Sequence, residues 1–451
     1  MSQTGRHEQE RTRLSQSELN QALIRHLAYR RGRSGGQRAN LKLCDLSHLD
    51  LSGSDLAEAD LSGAKLYSTR LSSANLGGAT LYGADMRLAN LERANLEKAD
   101  LRGACLRGAV LSDANLIDAD LRDGTLMHWD RATGAMVQHE HSSEQLTTEL
   151  TAALARGANF TRAKMANAFI MQTDLSDAIL RGTKFMRANL TNSNLMGCDM
   201  SDADLTEANL SGARLQGAVL TGAAINRANF QGATLIGAIL DSIQLTSPAI
   251  QGAVMAQSLE AAGANVNELL AAHIAWIDSG GRIGKRADLS NLDLSGHELS
   301  KANLSAAVLT CASLRRATLV EASLAISEIS LADLREADLT KADLRGVNLE
   351  RATLTGATLF NAQLGPVHIQ TATGQIWRAN LSRARLNECN LRGADLRKAD
   401  LKGANLVCAD LRGANLRDAD LQSADCNGAW LDGATLEGAN LADARGLRLP
   451  R

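Results

Sequence analysis

The apolar residues of this chain recur at neither of the two common spacings. From Leu381 to Leu441 a Leu stands at every fifth position, with Cys426 as the single substitute. A small residue, nearly always Ala, precedes each by two places, and the residue between them is usually Asp, Asn or Thr. A helix would carry a five-residue pattern around its circumference, and a strand would throw it alternately to both faces. Only a chain that turns a corner at each repeat keeps Leu and Ala on one side. The pattern therefore predicts a solenoid with Leu and Ala inside and the other three positions outside.

The same pattern occupies most of the 451 residues in four arrays: 39–126, with central residues from Leu41 to Leu126; 158–255, from Phe160 to Met255; 286–364, from Leu289; and 378–446. In the second array the centres vary more, and Leu245, Ile250 and Met255 are degenerate. Residues 1–38 read as a charged, disordered tail followed by a cap helix over about 16–30. Ser15 and Glu18 there have capping-box spacing, and Leu19, Ala22, Leu23 and Leu27 form one stripe. Residues 127–157 read as a loop or hairpin and then a helix over about 143–156, from Leu146, Leu150 and Leu154 with Gly157 as the stop. Residues 256–285 read as a third helix, led by Asn265 and Glu268 and closed by a Gly-rich turn, and 365–377 as a second loop or hairpin.

A longer repeat overlies the short one. Leu23, His26, Ala28 and Tyr29 align with Leu270, His273, Ala275 and Trp276, and residues 45–53 match 288–296. His128 and Ala132 to Gly134 match His368 and Ala372 to Gly374. The chain reads as a tandem duplication whose second copy lacks the helix at 143–156. The helices suit a cap role, because a solenoid end exposes unpaired backbone and an open apolar bore.

Tandem A-[DN]-L-x-x resembles the pentapeptide-repeat family. That resemblance implies an all-β solenoid, a right-handed quadrilateral β-helix with four pentapeptides per turn, carrying short capping or intervening α-helices. It also implies a functional range: some members resemble B-form DNA in girth and acidity and bind type II topoisomerases such as DNA gyrase.

Composition narrows the function. Aromatics are 3% and net charge is −2, so no global field points to nucleic acid. The first array has 13 acidic against 9 basic residues, while the fourth has 10 of each and alternates Asp with Arg or Lys. A continuous acidic stripe is thus not expected. Seven scattered Cys without C-x-x-C spacing read as reduced packing or surface residues. No signal-type h-region and no run of about 18 apolar residues occurs, which predicts a cytoplasmic, bacterial-type protein without membrane contact. No nucleotide, nucleophile-elbow or zincin motif appears, so no catalytic, cofactor-binding or metal residue is assigned and no cofactor is expected. His128, Asp130, His139, Glu140 and His141 form one ligand-rich loop without a zinc spacing, and it reads as an exposed polar loop.

Three aromatics that cannot enter a Leu/Ala bore, Trp129, Trp377 and Trp430, are the candidate partner contacts. The expected function is a non-enzymatic scaffold that binds a protein partner through its faces and loops. A DNA-mimicking regulator of gyrase is the alternative reading, and an accessory or effector of a secretion apparatus the third. Direct nucleic-acid binding is not expected. An open coil end would be a site for homo-oligomerisation.

Overall fold

The computed structural model describes residues 12–125, 127–130, 135–138, 145–263, 265–368 and 376–447. The chain forms two compact units: Met1–Thr234 with Leu240–Ala253, and Leu235–Ile239 with Val254–Arg451. Each is a right-handed quadrilateral β-helix.

One pentapeptide, Ala59 to Gly63, explains the coil. Ala59 N–H donates to Leu56 O (3.0 Å), Asp60 N–H to Ala39 O in the preceding turn (3.0 Å), and Leu61 N–H to Thr80 O in the next (2.7 Å). Gly63 N–H also reaches the next turn, at Tyr82 O (2.8 Å). The fifth donor, Ser62 N–H, goes to the Oδ1 of Asp60 (3.0 Å). Every backbone N–H is thus satisfied, four by carbonyls and one by the polar side chain. The bond from Ala64 N–H to Leu61 O closes a type II turn whose third residue, Gly63, has φ 62°. One such corner per five residues makes a square, and bridges such as Asn40 to Asp60 and Asp60 to Thr80 repeat every 20 residues.

The interior is mostly Ala and Leu, for example Ala59, Leu61, Ala399 and Leu401, all fully buried. Phe160, Phe185 and Phe230 are buried at central positions of the first unit. Where a hydroxyl replaces the small residue it finds a carbonyl: Thr69, Thr173 and Thr183 donate to Leu46, Leu150 and Phe160 O at 2.9, 2.7 and 2.8 Å. None of the seven cysteines forms a disulfide. Burial pushes the Cys389 thiol up to about 12 and that of Cys426 to about 11.

Helix α1 (Gln16–Arg30) covers the first coil of unit 1; α2 (Ser242–Leu245) lies at the other end of that unit; α3 (Val266–Asp278) covers the first coil of unit 2, where Val266, Leu269 and Leu270 pack on the core. Glu18 N–H and Ser15 Oγ form the capping bond of α1 (3.3 Å), and Ser15 N–H returns to Glu18 Oε2 (2.8 Å).

Three sequence expectations are corrected. Residues 145–157 are not a helix but coil: Glu149 bridges Cys105, Leu154 bridges Val110, and Leu150 N–H donates to Phe169 O at 2.7 Å. Leu146, Leu150 and Leu154 do have helical spacing. Leu150, Ala155 and Phe160 also hold the five-residue phase, however, and ladder bonds to turns on both sides prevail over a short isolated helix. Ala155 at a central site hid that phase. Among the described residues, neither copy has a helix here.

The degenerate position Leu245 is not a repeat centre either, whereas Ile250 again heads a corner, with Ala253 N–H donating to Ile250 O at 3.0 Å. Asp241 to Gln244 is a capping box for α2, and Pro248 starts a 3-10 turn through Ile250. The Gln244 side chain points inward and donates to Leu220 O (2.8 Å) and Ala223 O (2.7 Å), closing the bore.

The third correction concerns register. Matching residues 45–53 to 288–296 sets Asp45 against Asp288, but the caps set it against Asp293: Thr12–Arg13 pairs in parallel with Cys44–Asp45, and Gln257–Ser258 with Leu292–Asp293.

The two interruptions are looped out of an unbroken coil. Bridge spacing jumps from 20 to 44 at Cys105 to Glu149, and from 20 to 32 at Asn348 to Asn380. The first interruption contains an antiparallel hairpin, Met127–Asp130 with Ala135–Gln138; the second begins and ends as one, Val367–His368 with Ile376–Trp377. Leu126, 131–134, 139–144 and 369–375 lie outside the described residues, as does the 1–11 tail. Leu121, the last centre before the first jump, is 82 residues after Ala39; Leu364, its counterpart, is 77 after Ala287. The difference is one pentapeptide, so the two hairpins leave from neighbouring corners when viewed from their caps.

Replacing a buried centre should be costly: Leu91→Ala is expected to lower stability by about 2–5 kcal/mol through lost transfer energy and a cavity that the flanking turns cannot close. Urea denaturation followed by far-UV circular dichroism measures it, and a loss under about 0.5 kcal/mol would contradict this account of the core.

Candidate functional site

The outward face of each repeat is built on the polar residue before the centre. Its Oδ1 is already committed to the backbone two residues on, as in Asp60, Asp174 and Asp420 (3.0, 3.0 and 3.1 Å). Where Arg follows the central Leu, it folds back on the same carboxylate. Arg102 Nε and Nη2 meet Asp100 Oδ1 and Oδ2 at 2.8 and 2.7 Å, and Arg335, Arg345, Arg397 and Arg412 repeat this with Asp333, Asp343, Asp395 and Asp410. The guanidinium beside Asp410 and the backbone N–H it accepts hold that carboxyl below the usual range. Elsewhere amides form ladders: Asn75 donates to Asp55, Asn95 to Asn75 and Asn115 to Asn95, at 3.0, 2.9 and 3.0 Å. The faces are therefore flat, polar and locally neutralised.

Against this coat the apolar departures stand out. In unit 2, Trp430 is 55% exposed and bridges Asp410. The Arg412 guanidinium, held by Asp410, lies 4.8 Å from its ring centroid. Trp377 is 43% exposed beside Ile376, and its strand lies over Gly346, where a Cβ would come within 3.3 Å of Val367. Gly346 has φ 66°, so both its conformation and the close approach suit Gly. Trp129 lies on the first hairpin of unit 1, opposite Met136. The structure does not assemble Trp377 and Trp430 into one site: Trp430 is in the middle of a face and Trp377 at a corner. In unit 1, Leu154, Phe169 and Ile179 occupy outward positions three and two repeats apart, on three different faces of the coil, and are half-exposed. The sequence reading passed over these three, although an apolar residue at the polar position is a signal that could have found them.

Among the described residues no group of three or more His, Cys, Asp or Glu is placed to hold a metal ion. His139, Glu140 and His141 lie outside those residues. Among the described residues no helix is long and apolar enough to cross a membrane.

The family model described as pentapeptide repeats matches segments from 39–78 through 419–445 that together span most of the chain. No curated protein is found similar in sequence. Among solved structures, HetL of the cyanobacterium Nostoc sp. strain PCC 7120, described as involved in heterocyst differentiation regulation, is 22% identical, with 94% of each chain covered and a TM-score of 0.18. The plasmid-mediated fluoroquinolone resistance protein QnrB1 is 17% identical over 46% of this chain and 86% of its own, with a TM-score of 0.22. A thylakoid-lumen protein of Arabidopsis thaliana is 24% identical over 32% of this chain and 79% of its own, with a TM-score of 0.18.

The Asp–backbone bond makes a direct prediction. Asp100→Asn keeps the Oδ1 acceptor and should change stability by less than about 0.5 kcal/mol, whereas Asp100→Ala leaves the Arg102 N–H without its side-chain acceptor and should cost about 1–2 kcal/mol. Equal costs in thermal or urea unfolding would show that the charge, not the acceptor, matters there. With the repeat, the square coil and the family match in agreement, the chain belongs to the pentapeptide-repeat family.

Proposed function

We propose that this protein is a non-enzymatic scaffold that binds a protein partner through the outer faces and hairpins of its coils. The observation that carries this reading is the contrast between a polar coat whose charges are largely paired and exposed apolar side chains, among them Trp430 and Trp377 in unit 2, and Leu154, Phe169 and Ile179 in unit 1. Exposed aromatics on a rigid support are the usual anchors of protein interfaces. Acid–base chemistry needs a cleft that shifts a carboxyl toward neutrality, and carboxylates such as Asp100 and Asp410 instead accept backbone N–H groups and Arg on the outer faces. A cytoplasmic location is part of this proposal.

The same pairing counts against mimicry of DNA, which needs unbalanced negative charge along one face to meet a surface selected for phosphates. A gyrase supercoiling assay with and without a quinolone decides that point. Micromolar protein is expected neither to inhibit nor to protect, and protection would make gyrase the partner.

Partner capture tests the scaffold itself. Full-length protein should retain a defined partner from its native source, and Trp377→Ala or Trp430→Ala should weaken that binding about tenfold or more, the loss of one buried aromatic anchor. Unchanged affinity in both variants would remove these residues from the interface, and a reaction catalysed by the chain alone would overturn the scaffold reading.

A further inference from the structure

The two cap helices carry the same buried group. His26 on α1 and His273 on α3 are each fully buried, and each ring bonds the backbone of the coil through both nitrogens. Ala39 N–H donates to His26 Nδ1 at 3.0 Å, and His26 Nε2 meets Ala57 O at 3.1 Å. Ala287 N–H donates to His273 Nδ1 at 3.0 Å, and His273 Nε2 meets Ser305 O at 3.0 Å. A carbonyl oxygen only accepts, so Nε2 carries the hydrogen; a backbone N–H only donates, so Nδ1 carries none. Both rings are thereby fixed as the same neutral tautomer. Tyr29 stacks on the first at 6.0 Å and Trp276 on the second at 5.7 Å.

Each ring takes the place of a preceding coil turn. In unit 1 the remaining edge groups are covered by Thr12–Arg13 on Cys44–Asp45, by the Gln16 amide on Asp50 N–H and O (2.9 Å each), and by Arg38 on Glu58 O. In unit 2 the strand Gln257–Ser258 and Arg286, which donates to Ala306 O, do the same work.

We propose that both caps are proton-operated latches: a proton on Nδ1 of His26 or His273 converts an acceptor into a donor facing the N–H of Ala39 or Ala287, and the cap helix lifts from the first coil. What is uncovered is a strand edge over a Leu-filled bore, a surface on which another chain can add a strand. The reading is independent of which partner the outer faces bind.

The surroundings set the sign. His26 faces Asp55, which attracts a proton, but also Arg30 and Arg38, which repel one, and Arg30 stands 3.9 Å from Asp55. His273 faces Arg286. Burial is the largest influence on both and holds them below the ordinary histidine value. The lifted cap therefore binds protons more readily than the closed one, so cap stability rises with pH through the histidine range and is lost as pH falls below about 6.5. Each tenfold difference in proton affinity makes lifting tenfold more favourable in acid.

Hydrogen–deuterium exchange of the full chain at pH 7.5 and 5.0, corrected for intrinsic rates, reads this out. Residues 15–40 and 265–288 are expected to lose protection at least tenfold at pH 5.0, while the coil around Leu91 and Leu401 keeps its own. His26→Gln, which keeps an acceptor and a donor but does not titrate, should remove the pH dependence of the first cap and leave that of the second. Nitrogen-15 spectra of histidine-labelled protein should show two rings locked with hydrogen on Nε2 at pH 7.5 and protonating together with the loss of protection. Full protection of both caps at pH 5.0, or pH-dependent opening of the first cap that survives in His26→Gln, would overturn the proposal.

Discussion

One hydrogen bond, repeated wherever Asp or Asn precedes the centre, supports the rest of this architecture. A coil of type II turns stacked at 20-residue intervals gives four of its five N–H groups a carbonyl, and the fifth, on the residue after the centre, has none. Asp or Asn before the centre supplies the missing acceptor, at about 3 Å, turn after turn. This requirement sets the polar position, and the narrow bore sets the other two. The family's signature is thus a list of what each backbone and packing site needs, and the outward chemistry is what remains. Much of that remainder is spent on neutralisation, since Arg after the centre closes on the same Asp.

The ends obey the same rule by other means. A first turn has no predecessor, so its carbonyls and amides are met by a two-residue strand, by side-chain amide and guanidinium groups, and by a histidine ring. The last turns of unit 1 are met by Gln244. Side chains here copy the backbone's donor and acceptor geometry, which is why they are Gln, Arg and neutral His rather than apolar plugs.

The coil was legible in the sequence because its period is strict. The α1 and α3 spans were legible because Ser15 with Glu18, and Asn265 with Glu268, are short-range capping signals. The failures share a cause. At 143–156 a single Ala at a central site broke the visible period and let a three-Leu stripe suggest a helix. At 242–245 the period was extended through Leu245 even though Asp241 and Gln244 marked a departure. The roles of His26 and His273 depend on which backbone groups lie across the cap, information that no spacing contains. The outward Trp residues were legible as exposed, but whether they share a face was not, since that depends on residue number modulo 20 and on the lengths looped out.

The hairpins illustrate what that modulus offers. Moving an insertion by one pentapeptide relative to the cap leaves every bore contact and ladder bond of the same kind, yet the loop then points a quarter-turn away. The repeat acts as an indexing mechanism with four angular settings, and the two copies in this chain occupy adjacent ones.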